Sequence, residues 1–226
     1  MEKSQDLVHL GVIADGNRRW AKAHDLPQIE GHKRGLERIE PLVEAAAQAG
    51  IKYITFYVFS TENWGRSVDE VNYIMRLAET RILKMAEKLA QKNGRLIILG
   101  SREKLSPKLI SSMEKAEQLT KDSTGITVCF CFNYGGEEEI AHAARIAAAE
   151  GEITSETIRR HLYHPEVPNV DMIVRTSGEE RISGFMLWRA AYEVFLFLKK
   201  YFPEMEPSDV GMIITEYQKR QRRFGK

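Results

Sequence analysis

Residues 7–20 read LVHLGVIADGNRRW, and this stretch decides the fold class of the chain. The apolar run 7–13 is short and is followed by an acid, a glycine and an asparagine, a pattern typical of a buried strand that turns into a helix. Runs of the same kind recur at 53–59, 95–99, 126–132 and 171–174. Such continuous apolar runs are expected for parallel strands that are covered on both faces.

Amphipathic segments separate these runs. One spans 35–49, and a longer one has apolar residues every three or four positions over 71–89, preceded by a capping-box pattern of Ser67 with Glu70. Ser106 and Pro107 predict the start of another helix. Alternation of strands and helices predicts an α/β fold with a central, mostly parallel sheet ringed by helices, in which 1–226 form a single domain.

The composition limits the classes of function. With 226 residues and a formal net charge of +1, the chain has no global field to attract nucleic acid, so any anion site must be local. No stretch approaches the ~20 apolar residues of a spanning helix, and no signal-peptide pattern begins the chain. We therefore expect a cytoplasmic protein with at most peripheral membrane contact. Cys129 and Cys131 are expected to be buried and reduced.

Polar clusters directly follow three of the predicted strands, at 15–20, 60–66 and 175–183. Taken alone, the first and third suit a polar loop as well as a ligand site, and the second suits a helix cap better. Because ligands of parallel sheets bind beyond the carboxyl ends of the strands, the three clusters together indicate one site. Their cations, hydroxyls and single well-placed acid suit two phosphorylated groups bridged by Mg²⁺.

The clusters resemble, in order and content, the signatures of the cis-prenyltransferases, the undecaprenyl diphosphate synthase family. The matching segments are 15–22 with 31–32, 59–66, 133–136, 171–188 and 223–225. The resemblance implies a Mg²⁺-dependent enzyme that condenses isopentenyl diphosphate with an allylic prenyl diphosphate primer. It also implies a homodimer and an apolar tunnel for the product. Residues of 71–89 and 126–132 are candidate walls, although for each of them plain core packing is the favoured role.

The resemblance further implies roles for individual residues. Asp15 would hold Mg²⁺ and the allylic diphosphate, and Arg175 would help to hold isopentenyl diphosphate. Ser60 and Asn63 would lie at the reacting centre with Asp15, near the proton that is lost. Other residues with an implied part in substrate binding are Gly16, Asn17, Arg18, Arg19, Trp20, His32, Thr61, Glu62, Trp64, Arg66, Arg181 and Ser183. The tail Arg223-Phe224-Gly225 would close over the partner subunit's site.

The sequence also departs from the family pattern. Gln28 and Glu137 stand where the family commonly has arginine, and Val194 stands where a glutamate usually contributes to the metal site. Glu193, one residue earlier, is left as an uncertain second metal ligand. The bulk of Phe130 and Phe132 in a strand near the tunnel suggests a product shorter than undecaprenyl.

Two alternative functions remain open at this point. The altered positions are compatible with a noncatalytic partner subunit of a heteromeric cis-prenyltransferase, and an irregular short-chain prenyl diphosphate synthase is the other alternative. Retention of Asp15, Arg175 and Arg181 favours an active enzyme. A trans-type synthase is disfavoured because the sequence contains no Asp-Asp-x-x-Asp pattern, and a P-loop enzyme because it contains no Gly-x-x-x-x-Gly-Lys-Ser/Thr motif.

Overall fold

A single six-stranded sheet forms the centre of the computed structural model, which describes residues 6–191 and 193–220. The strands are β1 His9–Ile13, β2 Tyr53–Ser60, β3 Arg95–Leu99, β4 Thr127–Tyr134, β5 Met172–Arg175 and β6 Val194–Phe197. They are all parallel and lie in the order β3-β4-β2-β1-β5-β6. The predicted α/β class with a parallel sheet is confirmed.

Seven helices accompany the sheet in the described part of the chain: α1 Asn17–Ala23, α2 Gln28–Gln48, α3 Val68–Gln91, α4 Pro107–Thr120, α5 Gly136–Ala149, α6 Ser155–Arg160 and α7 Pro207–Gln218. The start of α4 is as predicted, because Ser106 Oγ accepts a hydrogen bond from Leu109 N at 3.1 Å and Pro107 occupies the first turn. Helix α2 begins at Gln28, earlier than the predicted residue 35. None of the helices in 6–191 and 193–220 is long and apolar enough to cross a bilayer.

The predicted capping box at the start of α3 is wrong. Ser67 is the N-cap residue, but its side chain makes no capping hydrogen bond. The Glu70 carboxylate turns instead toward Arg66 and His32, at 3.0 and 3.1 Å. A glutamate completes a capping box only if its carboxylate reaches back to the backbone N–H of the N-cap residue. The Glu70 carboxylate contacts Arg66 and His32 instead, and the sequence pattern did not predict these contacts.

The two faces of the sheet build two apolar layers. Along β4, Val128 and Phe130 point to one face and Cys129 and Cys131 to the other, as strand geometry requires. Helices α2, α3, α4 and α7 cover the first face, and residues of 163–190 cover the second. Both cysteines are free and fully buried, and burial raises the pKa of the Cys129 thiol to about 12. The thiols are structural, as predicted.

Strand β6 was not predicted. It pairs with β5 in a register that places Val194 beside Met172 and Phe197 beside Arg175. Its four apolar residues are all half-buried, because it lies at the edge of the sheet. With only four residues, the run falls at the short end of strand lengths, where periodicity carries little information.

A buried ion pair anchors the segment that leads to β6. Arg189 Nη1 lies 2.7 Å from Glu139 Oε1, and the two side chains are 1% and 0% exposed. Glu139 also accepts from Tyr134 Oη at 2.6 Å, and Arg189 Nη2 donates to Tyr163 O at 2.6 Å. Since every charged group here has hydrogen-bonding partners, the pair can persist away from water. It fixes α5 against the segment 187–189, which precedes β6.

Candidate active site

The first and third predicted clusters meet at the carboxyl ends of β1 and β5. Arg175 Nη2 donates to Asp15 Oδ2 at 2.8 Å. Arg175 Nη1 donates to Ser183 Oγ at 2.9 Å and to the backbone oxygen of Arg181 at 2.5 Å. Arg175 is 5% exposed, and its Nε has no hydrogen-bonding partner. One buried guanidinium therefore joins the residues predicted for the two diphosphates.

A second arginine approaches Asp15 from α1. Arg19 Nη2 lies 3.2 Å from Asp15 Oδ1 and donates to Ser177 Oγ at 2.6 Å. Arg19 Nη1 donates to Glu179 Oε1 at 2.8 Å, and Glu179 also accepts from Arg181 at 2.5 Å. The Arg181 side chain is 60% exposed and lies at the rim of the site.

The charge state of Asp15 follows from these contacts. Burial alone would raise the pKa of the Asp15 carboxyl, but the hydrogen bond and charge of Arg175, together with the charge of Arg19, outweigh it. The pKa of Asp15 is consequently below its usual value, and the group is ionised at neutral pH.

A polar cavity of about 700 Å³ opens beside Asp15. Among the described residues that line this cavity, Asp15 is the only acid. The lining includes most of the predicted first cluster and also Gln28, which stands where the family has arginine: Asp15, Gly16, Asn17, Arg18, Arg19, Lys22, Gln28, His32 and Arg66. The cavity thus gathers at least four cationic side chains around one carboxylate.

The turn from β1 into α1 requires a glycine. Gly16 has φ +98°, and a Cβ at this position would lie 2.6 Å from Tyr201 Cδ1 and 2.9 Å from Ser177 Cβ. The next residue, Asn17, has a buried Oδ1 with no hydrogen-bonding partner, while its Nδ2 donates to Ala14 O at 3.2 Å. A buried amide oxygen of this kind normally finds a donor, so Asn17 is a good candidate to meet a polar ligand or a water molecule.

The second predicted cluster folds as a 3₁₀ segment, Thr61–Gly65, directly after β2. Asn63 Oδ1 accepts from Ser60 N at 3.2 Å, and Trp64 Nε1 donates to Asn133 Oδ1 at 2.7 Å. Thr61 Oγ1 donates to Glu62 Oε1 at 3.3 Å. These contacts tie the segment to the end of β4, where the third family signature begins.

Tyr57 links this segment to the third cluster. Its hydroxyl donates to Ser183 O at 3.3 Å and to Tyr134 O at 3.2 Å. Burial, reinforced by the charge of Glu62, raises the pKa of Tyr57 above its usual value, so the phenol stays protonated. The sequence analysis did not identify Tyr57, because an aromatic residue inside an apolar strand reads as core.

Glu70 is the other residue that the sequence analysis missed. Its carboxylate lies 3.0 Å from Arg66, 3.1 Å from His32 and 3.8 Å from Arg18, and all three cationic or titratable side chains line the polar cavity. Burial lowers the pKa of His32, although the Glu70 hydrogen bond opposes the effect. The spacing of Arg66 and Glu70, four apart at the start of a helix, was the available signal.

Three apolar cavities, of about 70, 70 and 50 Å³, follow one another away from the polar cavity. The first shares Ala14, Asn17 and His32 with the polar cavity. The second shares Leu36 and Ile39 with the first. The third shares Ile39, Met85 and Phe130 with the second. They lie between α2, α3 and the sheet.

Several of the predicted wall residues line these cavities, and their contact with a product tail stays a prediction. Ile74, Ile82, Met85 and Leu89 of α3, and Val128, Phe130 and Phe132 of β4, line these cavities, but Val71 does not. At the far end, Lys88 Nζ lies 2.7 Å from Glu40, and Lys92 pairs with Glu40 and Glu44. These ion pairs connect α3 to α2 across the last cavity.

Some predicted residues lie elsewhere. The Trp20 ring contacts His24 in a tilted arrangement, with ring centroids 4.4 Å apart, and Trp20 is not among the residues that line the polar cavity. The tail Arg223-Phe224-Gly225 lies outside the described residues. Glu137 lies in the first turn of α5 and is exposed.

Within one chain, the structure does not bring Glu193, the uncertain second metal ligand, beside Asp15. Glu193 precedes Val194, which pairs with Met172 at the amino end of β5, whereas Asp15 follows the carboxyl end of β1. Glu193 is level with Asp171 and Asp15 is level with Ser177, so at about 3.3 Å per strand residue the two residues are separated by on the order of 20 Å along the sheet. Within 6–191 and 193–220, no group of three or more His, Cys, Asp and Glu side chains is placed to hold a metal ion.

The chain is similar in sequence and structure to known prenyl-transferring enzymes. A family model described as undecaprenyl diphosphate synthase matches residues 13–225. The chain is 43% identical over 220 residues to an isoprenyl transferase of Neisseria gonorrhoeae, covering 96% of this chain and 89% of the relative. It is 42% identical over 223 residues to the isoprenyl transferase of Thermotoga maritima, covering 96% of each. The structure of lavandulyl diphosphate synthase from Lavandula x intermedia superposes with a TM-score of 0.93 at 31% identity, covering 97% and 98% of the two chains.

Proposed function

The chain belongs to the undecaprenyl diphosphate synthase family of prenyl-transferring enzymes, and from this premise we propose that it condenses isopentenyl diphosphate with an allylic prenyl diphosphate in a Mg²⁺-dependent reaction. The product would be a longer prenyl diphosphate. One observation carries the proposal. Ala14, Asn17 and His32 line both the cationic cavity and the first apolar cavity, so a diphosphate and its hydrocarbon tail can be held together.

The allylic diphosphate would lie in the polar cavity. Arg18, Arg19 and Arg66 supply guanidinium donors there, and Asn17 offers an amide. Guanidinium groups suit phosphate oxygens because their donors are planar and permanently charged. The tail would extend from Asn17 and His32 along the apolar cavities.

Isopentenyl diphosphate would lie on the other side of Asp15. Arg175 already contacts Ser183 and the backbone of Arg181, and the exposed Arg181 guanidinium stands at the rim. Because Arg175 also contacts Asp15, the two diphosphates would be held next to each other. Such positioning supplies the orientation that a reaction between two molecules otherwise lacks.

The proposed reaction breaks the allylic C1–O bond and releases diphosphate. The double bond of isopentenyl diphosphate supplies the electron pair for the new bond to C1, and a proton is then lost from its C2 to restore a double bond. Negative charge grows on the leaving diphosphate, and the arginines of the polar cavity are already placed to stabilise it. We propose that Ser60 and Asn63 lie nearest to the proton that is lost from C2.

The residues present fit Mg²⁺ in one particular way. Asp15 offers a single ionised carboxylate among several cations, which is too few protein ligands for a closed metal site. Mg²⁺ commonly binds one or two carboxylates together with substrate phosphates, and Asp15 with a diphosphate is such a set. The ion, when bound, would neutralise diphosphate charge as it develops. The chain's own task is to keep Asp15 ionised and oriented, which Arg175 and Arg19 do.

The decisive test uses the purified protein alone with labelled isopentenyl diphosphate, farnesyl diphosphate and MgCl₂. We expect a labelled product extended by isopentenyl units, lost on addition of EDTA and restored by excess Mg²⁺. Absence of product with every allylic primer tried would support the partner-subunit alternative. Coupling of dimethylallyl diphosphate without isopentenyl diphosphate would support the irregular synthase. The homodimer stays a prediction, which sedimentation of the same preparation would check.

A further inference from the structure

Glu70 sits behind the polar cavity rather than in it. The carboxylate lies 3.0 Å from Arg66, 3.1 Å from His32 and 3.8 Å from Arg18, and Glu70 itself is 8% exposed and is not a lining residue. We propose that Glu70 is a positioning residue that gathers these side chains into the diphosphate site. The inference rests on the function proposed above and extends it to a residue that would never touch substrate.

The charges explain why such a residue is needed. The pKa of Arg66 is lowered, first by burial and also by the nearby charge of Arg18, and Arg66 acts in the same direction on the pKa of His32. Arg18 and Arg66 carry like charges, and like charges held close together would separate unless an opposite charge held them. Glu70 is the acid that contacts all three, so its removal frees them to move apart.

Helix capping does not account for the position of the Glu70 carboxylate. It forms no capping box with Ser67, as described above. The favourable interaction of an acid with the start of α3 is also supplied by Asp69, the exposed neighbour in the first turn. What Glu70 alone provides is contact with the side chains that line the cavity.

The expected consequence falls on one substrate. An arginine that is already held loses less side-chain freedom when it binds a phosphate, so a preorganised site binds more tightly. Arg18, His32 and Arg66 line the cavity proposed for the allylic diphosphate, whereas the groups proposed for isopentenyl diphosphate, Arg175, Arg181 and Ser183, are outside the Glu70 cluster. Loss of Glu70 should therefore raise the KM for the allylic substrate and leave the KM for isopentenyl diphosphate nearly unchanged.

The test compares Glu70→Ala and Glu70→Gln with Asp69→Asn in the full-length protein. Asp69→Asn is a matched control, since it removes one negative charge from the same helical turn without touching the cluster. For Glu70→Ala we expect the KM for farnesyl diphosphate to rise at least tenfold, while the KM for isopentenyl diphosphate stays within twofold. Glu70→Gln should fall between, because its amide oxygen still accepts a hydrogen bond. Asp69→Asn should match the wild type.

Binding of inorganic pyrophosphate, followed by calorimetry, provides a readout independent of turnover. Glu70→Ala should weaken it about as much as it raises the KM for farnesyl diphosphate. Unchanged binding would overturn the proposal, because Glu70 would then have no part in organising the site, and tighter binding would overturn it because Glu70 would then only repel the anion. Equal increases in both KM values would overturn it in favour of a general structural defect. If the wild-type protein neither turns over substrate nor binds pyrophosphate, the proposed function is wrong and this inference falls with it. If the wild type is active and the Glu70 variants behave like Asp69→Asn, only the inference about Glu70 is wrong.

Discussion

Arg175 Nη2 donates to Asp15 Oδ2 at 2.8 Å, across the adjacent carboxyl ends of β5 and β1. The other oxygen, Asp15 Oδ1, accepts from Gly16 N at 2.6 Å and from Arg19 Nη2 at 3.2 Å. Both carboxylate oxygens therefore orient arginines, one on each side. Asp15 therefore contacts one arginine from each of the two proposed diphosphate pockets, in addition to its proposed contact with Mg²⁺.

Replacing Asp15 should abolish this arrangement. For Asp15→Ala we expect kcat to fall by about 100-fold or more, because the proposed metal ligand is lost and two arginines lose their common partner. The far-ultraviolet circular dichroism spectrum should not change. Asp122→Ala, at an exposed acid, serves as the control. Turnover within a few-fold of the wild type would show that Asp15 has been assigned wrongly.

Arg181 should act mainly on the second substrate. Its side chain is 60% exposed and contacts Glu179, so its removal leaves no buried group unpaired. For Arg181→Ala we expect the KM for isopentenyl diphosphate to rise about tenfold with little change in thermal stability. Arg145→Ala is matched to it, because Arg145 is 67% exposed and also pairs with a glutamate. An unchanged KM for isopentenyl diphosphate would place Arg181 outside its site.

Narrowing the apolar cavities should shorten the product. Ala78 lines the middle cavity, between α3 and the sheet, and Ala78→Phe would fill space there. We expect chromatography of the products to shift to fewer isopentenyl units with the first condensation rate little changed. Thr80→Phe adds the same ring to an exposed position of the same helix and should leave the product distribution as in the wild type. If both variants shorten the product equally, the cavity does not house the tail.

Stability should fall in mild acid because of His9. The ring is fully buried, with Nε2 2.7 Å from Thr55 Oγ1 and Nδ1 3.0 Å from Pro168 O. Burial lowers its pKa from 6.5 to about 4, so the unfolded chain takes up a proton between these values and the folded chain does not. Its contribution is complete above pH 6.5 and is lost as pH falls toward 4, by about 3 kcal/mol in the free energy of unfolding.

Urea denaturation at several pH values checks this prediction. His9→Gln removes the titrating group, so the variant should lose less stability than the wild type between pH 6.5 and 4.5, whatever its stability at pH 7.5. Parallel pH profiles for the two proteins would show that another group controls acid sensitivity.

The sequence predicted the parallel strands that have strong local patterns. The runs ending near Asp15, Ser60 and Arg175 were located because each is apolar and then changes abruptly to polar residues. Strand β6 was missed because its pairing with β5, rather than its own four residues, makes it a strand. Topology at an edge depends on contacts distant in sequence, which periodicity does not encode.

The same distinction holds for the candidate site. Residues beside strand ends were predicted because strand ends define the ligand-binding edge of a parallel sheet. The partners of Glu70 were not, since Arg18 and His32 reach it from α1 and α2, and the capping-box pattern gave a local explanation for the glutamate. Glu193 was considered as a metal ligand because it is next in sequence to a family position. That proximity carried no information on the pairing of β6 with β5, which places Glu193 at the amino end of the strands.

The cavities that could receive a tail lie between the helices and the sheet, and Val58, which lines two of them, is at an irregularity in the β2–β4 ladder between Tyr57 and Phe59. A lengthening hydrocarbon would thus encounter side chains and, last, the ion pairs of Glu40 and Glu44 with Lys88 and Lys92. Exposed pairs of this kind contribute less than about 1 kcal/mol each, whereas the polar end is braced by buried Arg175. A growing product would therefore be held rigidly at its diphosphate end. Its hydrocarbon end would advance toward side chains that are held only by weak, exposed ion pairs.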